Sequence, residues 1–216
     1  MKTVLKNMTI SAVLLGLFAI IGTGMVSLTY ENTAERIAAN HRATLMRTLH
    51  ELIPEEQHDN DIFSDTIHVT DPKLLGSDRP RTVYRARKAG QPIAAIIECI
   101  APDGYNGNIY LLVAIQYNGE LAGVRVVSHR ETPGLGDAVN LSHSDWVLSF
   151  TGKSLHDPQP KQWAVKRDGG VFDQFTGATI TPRAVVKAVH NSLIYFQRHR
   201  DALFAPKIIE KESDHD

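Results

Sequence analysis

The sequence predicts an α+β fold: a single domain of antiparallel hairpins and helices, carried on one N-terminal membrane helix. Three observations predict it. Asn7 to Tyr30 is a run of 24 residues without a charge. "NIYLLVAIQY-NG-ELAGVRVVSH" reads as two β-rich runs about a turn. "TPRAVVKAVHNSLIYF" carries its apolar residues at helical spacing behind a proline. With 216 residues, 43% apolar and 22% charged, the chain is long enough to bury one sizeable core beyond the membrane segment.

The N-terminus comes first. A helix over Met8–Leu28 would be roughly 30 Å long, the thickness of a bilayer's hydrocarbon core. Lys2 and Lys6 precede it, and the positive-inside rule then sends the body out of the cytoplasm. The competing reading is a signal peptide cut near Gly22 and Gly24; the length of the charge-free span favours a retained anchor over residues 1–30. No cysteine lies near the segment, which excludes a lipoprotein. In "ENTAERIAANHRATLMRTLHELIP", Ile37, Leu45, Leu49, Leu52 and Ile53 are spaced for a juxtamembrane helix over 31–54 that stops at Pro54. His41 and His50 on that helix have no carboxylate pattern around them and read as solvated.

The body, residues 55–200, opens on a polar loop. "IFSDTIHVT", "TVYRARK" and "PIAAIIECI" read as strands, the last two joined by a turn at "AGQ". Asn118-Gly119 is the pair that a type I′ hairpin turn prefers, because both central positions need positive φ. "SHSDWVLSFTGK" reads as a short helix with hydroxyl caps, an apolar face of Trp146 and Phe150, and a stop at Gly152. "DPQPKQ" is a loop, "WAVKR" a strand and "DGG" a turn. The closing helix is expected from Pro182 to about Arg198, with Val185, Val186, Val189, Leu193 and Phe196 facing the core. Residues 201–216 read as a flexible, charged tail. No internal repeat and no linker divides the body.

Composition excludes several function classes. Beyond residue 30 the basic and acidic side chains number 21 and 24, and such a mildly acidic body does not suit nucleic acid. The single cysteine, Cys99, permits neither an internal disulfide nor an all-cysteine metal site. Its strand-like setting marks it as a buried, inert thiol. There are ten histidines, yet no HExxH or other metal-ligand spacing, no GxSxG and no defensible carboxylate pair. Any chemistry must come from a bound cofactor.

Two segments could carry one. In "TGATITPRAVV", Pro182 suits the first position of a helix and Thr181 its N-cap. Thr176-Gly177-Ala178-Thr179 then approaches a helix N-terminus, where free amides and the helix dipole favour a phosphate. A structural turn and cap with no ligand accounts for the same residues. In "HRETPGLGD", Gly134 and Gly136 would let backbone approach something flat without Cβ interference. A plain type II turn on Pro133-Gly134 accounts for that segment equally.

"DGGVFDQFTGATIT" resembles the flavinylation motif of bacterial FMN-binding domains, Asp-x-x-Ser/Thr-Gly-Ala-Thr, which falls here on Asp173, Thr176, Gly177, Ala178 and Thr179. "APDGYNGNIYLLV", "HRETPGLGD", "SDWVLSF", "WAVKRDGG" and the N-terminal anchor extend the likeness to the RnfG (RsxG) family of Rnf-type electron transport complexes. It covers most of residues 80–198 and the anchor, and little of 55–80 or the tail. The resemblance implies FMN joined by a phosphoester to Thr179 and installed by a dedicated flavin transferase. Thr176, Gly177, Ala178 and Thr181 would shape that attachment, with Thr181 as the cap. Glu131, Thr132, Gly134, Leu135 and Gly136 would lie near the flavin, the glycines permitting close approach.

The implied function is electron relay through covalent FMN on the periplasmic side of the bacterial inner membrane, with no substrate site of its own. The expected partners are the other membrane and iron–sulfur subunits of an ion-translocating complex that couples electron flow between ferredoxin and NAD to ion movement. The related FMN-threonine subunit of sodium-pumping NADH:quinone reductases shares the motif and is the nearest alternative. A membrane-tethered binding module without cofactor is the alternative from another class.

Overall fold

A computed structural model describes residues 2–205. It divides into two compact units, Met1–Arg47 and Thr48–Asp216. The first is helical and belongs to α1 (Lys2–Leu52). Its apolar stretch is long enough to cross a membrane and is not buried against protein; Leu14, Leu15, Phe18, Ile20 and Ile21 are all exposed. Two threonines near the ends of that stretch are satisfied within the helix. Thr9 donates to the Leu5 carbonyl (2.9 Å) and Thr29 to that of Met25 (2.8 Å), so neither hydroxyl would enter lipid without a partner.

The second unit is built on an antiparallel meander in the order β1-β2-β3-β4-β5. Its strands are β1 (Thr66–Asp71), β2 (Ser77–Lys88), β3 (Gln91–Gly104), β4 (Gly107–Gln116) and β5 (Leu121–Ser128). Alternation sorts the side chains to two faces. Ile97, Cys99, Leu111, Val113 and Val124 join the main core, against which α2 (Ile180–Leu203) lays Val185, Val186, Val189, Leu193 and Phe196, each at most 2% exposed. On the other face Leu52, from the end of α1, packs on β5. A Cβ at Gly123 would stand 3.0 Å from its Cδ2, so the bare strand admits the helix end. Cys99 is buried as expected, and burial raises its thiol to about 12.

Several local expectations need correction. The β4–β5 hairpin forms, but Asn118-Gly119 is not a type I′ turn, because Gly119 has φ +93° and Asn118 is not in the positive-φ region. The Gly119 amide donates to Gln116 O (2.9 Å) and the Gln116 amide to Glu120 O (2.8 Å). That is a three-residue loop whose glycine makes the bulge, and Asn118 Oδ1 accepts the Glu120 amide (3.0 Å). The turn with both central residues at positive φ joins β2 to β3: Ala89 at +50° and Gly90 at +75°, between paired Lys88 and Gln91. The strand expected over "IFSDTIHVT" begins only at Thr66, and Ile62 is buried within the preceding turn.

"WAVKR" is no strand. Val165 forms one isolated bridge with Phe172, and Lys166–Asp168 is a 3-10 turn ending on Gly169 at φ +86°. "DPQPKQ" contains a 3-10 turn at Pro160–Gln162. The helix expected after "SHS" is a 3-10 helix over Asp145–Phe150, capped by Ser144, whose Oγ accepts the Trp146 amide (3.1 Å). α2 is longer at both ends than the periodicity suggested. Arg85, 4% exposed, donates from Nη1 to the carbonyls of Leu203 and Ala205, and Arg87 Nη2 donates to Phe204 O. Asp65 bridges both arginines. Two cations thus close the negative end of the helix. The remainder of the expected tail, 206–216, lies outside the described residues.

Candidate functional site

The site is assembled where the β3–β4 turn, the loop after β5 and the start of α2 converge. Its base is aromatic. Trp146, edge-on to Phe150 and Phe175, donates its indole N–H to the Asp173 carbonyl (2.8 Å). Phe150 stacks on Phe172 with ring centroids 4.6 Å apart. This cluster pins the segment that leads into "TGAT". Asp173 itself is exposed and pairs with Lys166 (2.6 Å).

The turn follows directly. The Ala178 amide donates to Phe175 O (3.1 Å), with Gly177 at φ +78° and Thr176 outside the positive-φ region. This is the type II arrangement, in which glycine is favoured at the third position. Thr176 and Gly177 are exposed, Ala178 and Thr179 half-buried. α2 begins at Ile180, so the N-cap is Thr179 and not Thr181. Thr179 makes no capping hydrogen bond with its side chain. It therefore presents a half-buried hydroxyl beside first-turn amides that take no acceptor from the cap residue.

Thr181 does something sequence reasoning missed. It is fully buried inside the first turn, and its hydroxyl donates to Oε2 of Glu131, itself 5% exposed. Oε1 of Glu131 accepts the amide of Asn106 (3.1 Å), and Asn106 Nδ2 donates to Thr132 Oγ1 (3.2 Å). His129 Nδ1 accepts the Glu131 amide (3.2 Å). The two glycines of "PGLG" have separate causes. Gly134 sits in a Thr132–Leu135 turn at φ +74° with open space where a Cβ would be. A Cβ on Gly136 would lie 2.8 Å from both Glu131 Oε2 and Thr181 Oγ1. Gly136 is thus bare for the Glu131–Thr181 pair.

Asp137 closes the loop. The Gly134 amide, and then His143 (2.8 Å), hold its carboxyl below the ordinary carboxylate range. Leu135 is exposed and lies beside Gly177, 3.7 Å from the place of a Cβ there. Outside the turn, Arg183 grips Asp168 through two hydrogen bonds of 2.6 Å, which lower the Asp168 pKa and raise that of Arg183. All ten expected residues therefore come to one place. Gly104 and Asn106, from "APDGYNG", and His129, the first residue of "HRETPGLGD", join them; what no local pattern signals is the pairing of Asn106 with Glu131, 25 residues away.

An FMN phosphate fits these residues on two observations: the uncapped Thr179 hydroxyl, and its place at the start of α2, where Ile180 and Thr181 carry amides that receive no cap bond from it and Pro182 has none. Among the described residues, no group of three His, Cys, Asp or Glu side chains could hold a metal ion.

Residues 104–194 match the family model described as FMN-binding domain, and residues 1–52 that described as RnfG N-terminal region. The chain is 52% identical over 202 residues to the G subunit of the ion-translocating oxidoreductase complex of Pseudomonas aeruginosa strain UCBPP-PA14, covering 94% of both chains. It is 50% identical over 202 residues to the same protein of Shewanella loihica, covering 94% of this chain and 93% of the relative. For Pseudoalteromonas atlantica the identity is 49% over 195 residues, or 90% and 91% of the two chains. The matched FMN-binding region begins at Gly104, the last residue of β3, and ends within α2, so it spans every residue of the site.

Proposed function

From the premise that this chain belongs to the RnfG family, the G subunits of ion-translocating oxidoreductase complexes, each a single-pass membrane redox protein with an FMN-binding domain, we propose that its FMN is carried covalently on Thr179. The observation that carries this reading is the Thr179 hydroxyl, half-buried at the N-cap position of α2 and making no cap bond. In the attachment step, that oxygen forms a bond to the flavin-side phosphorus of a flavin dinucleotide. The pyrophosphate bond breaks, a nucleoside monophosphate leaves, and the hydroxyl proton passes to a base of the flavin transferase. No electrons are exchanged in this step.

When bound, FMN supplies electron-accepting and electron-donating chemistry that no side chain here has. The chain's own residues hold and orient. The amides of Ile180 and Thr181 would hold the phosphate, and the dipole of the 24-residue α2 helix would favour its negative charge. Trp146 and Phe175 brace the turn from beneath. A phosphoester leaves the redox ring unmodified and prevents loss of the cofactor outside the cytoplasm.

Residues 1–30 serve as the bilayer anchor and 31–54 as the juxtamembrane segment. Residues 55–200 form the FMN domain on the periplasmic side, among the membrane and iron–sulfur subunits of the complex. The test is Thr179→Ala, expected to give a folded, membrane-bound protein with no flavin fluorescence on a denaturing gel. A fluorescent band persisting in that variant overturns the assignment.

A further inference from the structure

We propose that Glu131 is a positioning residue for flavin attachment: its buried carboxylate sets the first turn of α2, and through it the Thr179 hydroxyl, without touching the flavin. The inference rests on the reading of Thr179 as acceptor. Thr179 has no cap bond to orient it, so its direction is set by the backbone on either side: the pinned 175–178 turn before it and the first turn of α2 after it. Within that turn the buried polar tie is Thr181, two residues on, whose hydroxyl donates to Glu131. At about 100° of rotation per helical residue, anchoring Thr181 fixes the rotation of the turn and hence where Thr179 points.

The surroundings are built to keep this carboxylate in place. Its other oxygen accepts the Asn106 amide (3.1 Å), and its own amide donates to His129 Nδ1 (3.2 Å). Two backbone positions leave room for it. A Cβ on Gly136 would be 2.8 Å from Oε2; one on Gly104, which the Gly107 carbonyl already forbids, would also be 3.0 Å from Oε1. Each oxygen has a protein donor, and only 5% of the residue reaches solvent. That suits a latch among three chain segments and does not suit a flavin ligand. A buried carboxylate that loses a donor destabilises the pocket that holds it, so the latch closes only when all three segments are in place.

Full-length chain lacking flavin, purified flavin transferase and a flavin dinucleotide donor test this, with fluorescence of the chain on denaturing gels as the readout. In Glu131→Gln one carboxylate oxygen becomes an amide NH2, so a single oxygen is left to accept from either Asn106 or Thr181, and the charge-assisted tie to the Thr181 hydroxyl is lost. The kcat for loading is expected to fall roughly 10- to 100-fold, the cost of misplacing a reacting group by up to about 1 Å. The KM for the chain stays within about twofold, since the exposed turn from Asp173 to Ala178 is unchanged. Thr181→Val is expected to behave alike, and Thr181→Ser to recover most of the rate.

Final loading separates positioning from a merely structural role. Positioning slows the reaction but lets it reach completion, whereas loss of fold lowers the fraction that ever loads. Loading of Glu131→Gln at the wild-type kcat, or an effect confined to KM or to the final fraction, overturns the inference. If Thr181→Val shows no cooperative melting, Glu131→Gln and the recovery in Thr181→Ser decide. Flavin on Thr179→Ala would instead sink the acceptor reading itself. An unloaded Thr179→Ala beside a normally loading Glu131→Gln sinks only the role of Glu131.

Discussion

Asp137 shows how a side chain can stabilise this site without holding anything in it. The Gly134 amide and His143 favour its charged form, so its folded pKa lies below the unfolded value of about 3.9. A depressed carboxylate contributes stability that is fully present above its unfolded pKa and is lost as pH falls through the folded one. Denaturation midpoints should therefore fall with acid below about pH 5, and Asp137→Asn should flatten that fall while lowering stability at neutral pH. Asp168, depressed chiefly by Arg183, leaves part of the slope in place; an unchanged slope in Asp137→Asn would show that its contacts contribute nothing. Thr181 is the residue whose role local sequence misassigned. A threonine before Pro-Arg-Ala-Val has the look of a cap, but its fate depended on a carboxylate 50 residues away. No helix-capping rule contains that partner. Gly136 belongs to the same lesson, since the side chains that forbid it a Cβ are Glu131 and Thr181.

At the scale of elements, the hairpins show turn chemistry working in an unexpected place. Asn-Gly favours a type I′ turn only when two residues separate the strands; here the β4–β5 register leaves three, and the glycine becomes a bulge. The tight turn fell instead to Ala89-Gly90, where alanine sits at φ +50°, a conformation that costs an L-residue about 1–2 kcal/mol. Asparagine tolerates it better. Ala89→Asn should raise the stability of the protein by about 0.5–1 kcal/mol, read as a higher urea midpoint at constant m-value. Either residue keeps the backbone bond from position 89 to Asp59 Oδ2 (2.7 Å), so an unchanged or lower midpoint would show that the positive φ of Ala89 costs the protein nothing. The strand expected at "WAVKR" failed for a related reason. Trp163 and Val165 are buried, as a strand's alternate residues would be, but burial here comes from the aromatic cluster of Phe150, Trp163 and Phe172 and not from a sheet.

At the scale of the whole molecule, the orientation proposed for the body predicts a simple outcome. Protease added to spheroplasts of the producing cell should digest residues beyond the anchor while the membrane is intact. Protection until detergent is added would place the body in the cytoplasm and overturn the charge argument from Lys2 and Lys6. By itself the sequence determined the long apolar helix, the antiparallel strands and the apolar face of α2, because each is written in consecutive residues at a fixed period; the reading of "TGAT" as a flavin motif came from resemblance. Only the tertiary structure decided which hydroxyl is left free. Thr179 and Thr181 are two residues apart and chemically identical. One is buried against Glu131 and the other is left half-exposed without a cap bond, because the β3–β4 turn and the loop after β5 bring a carboxylate to one side of the helix and not the other. Interactions between segments far apart in the chain, which no local pattern encodes, set that difference.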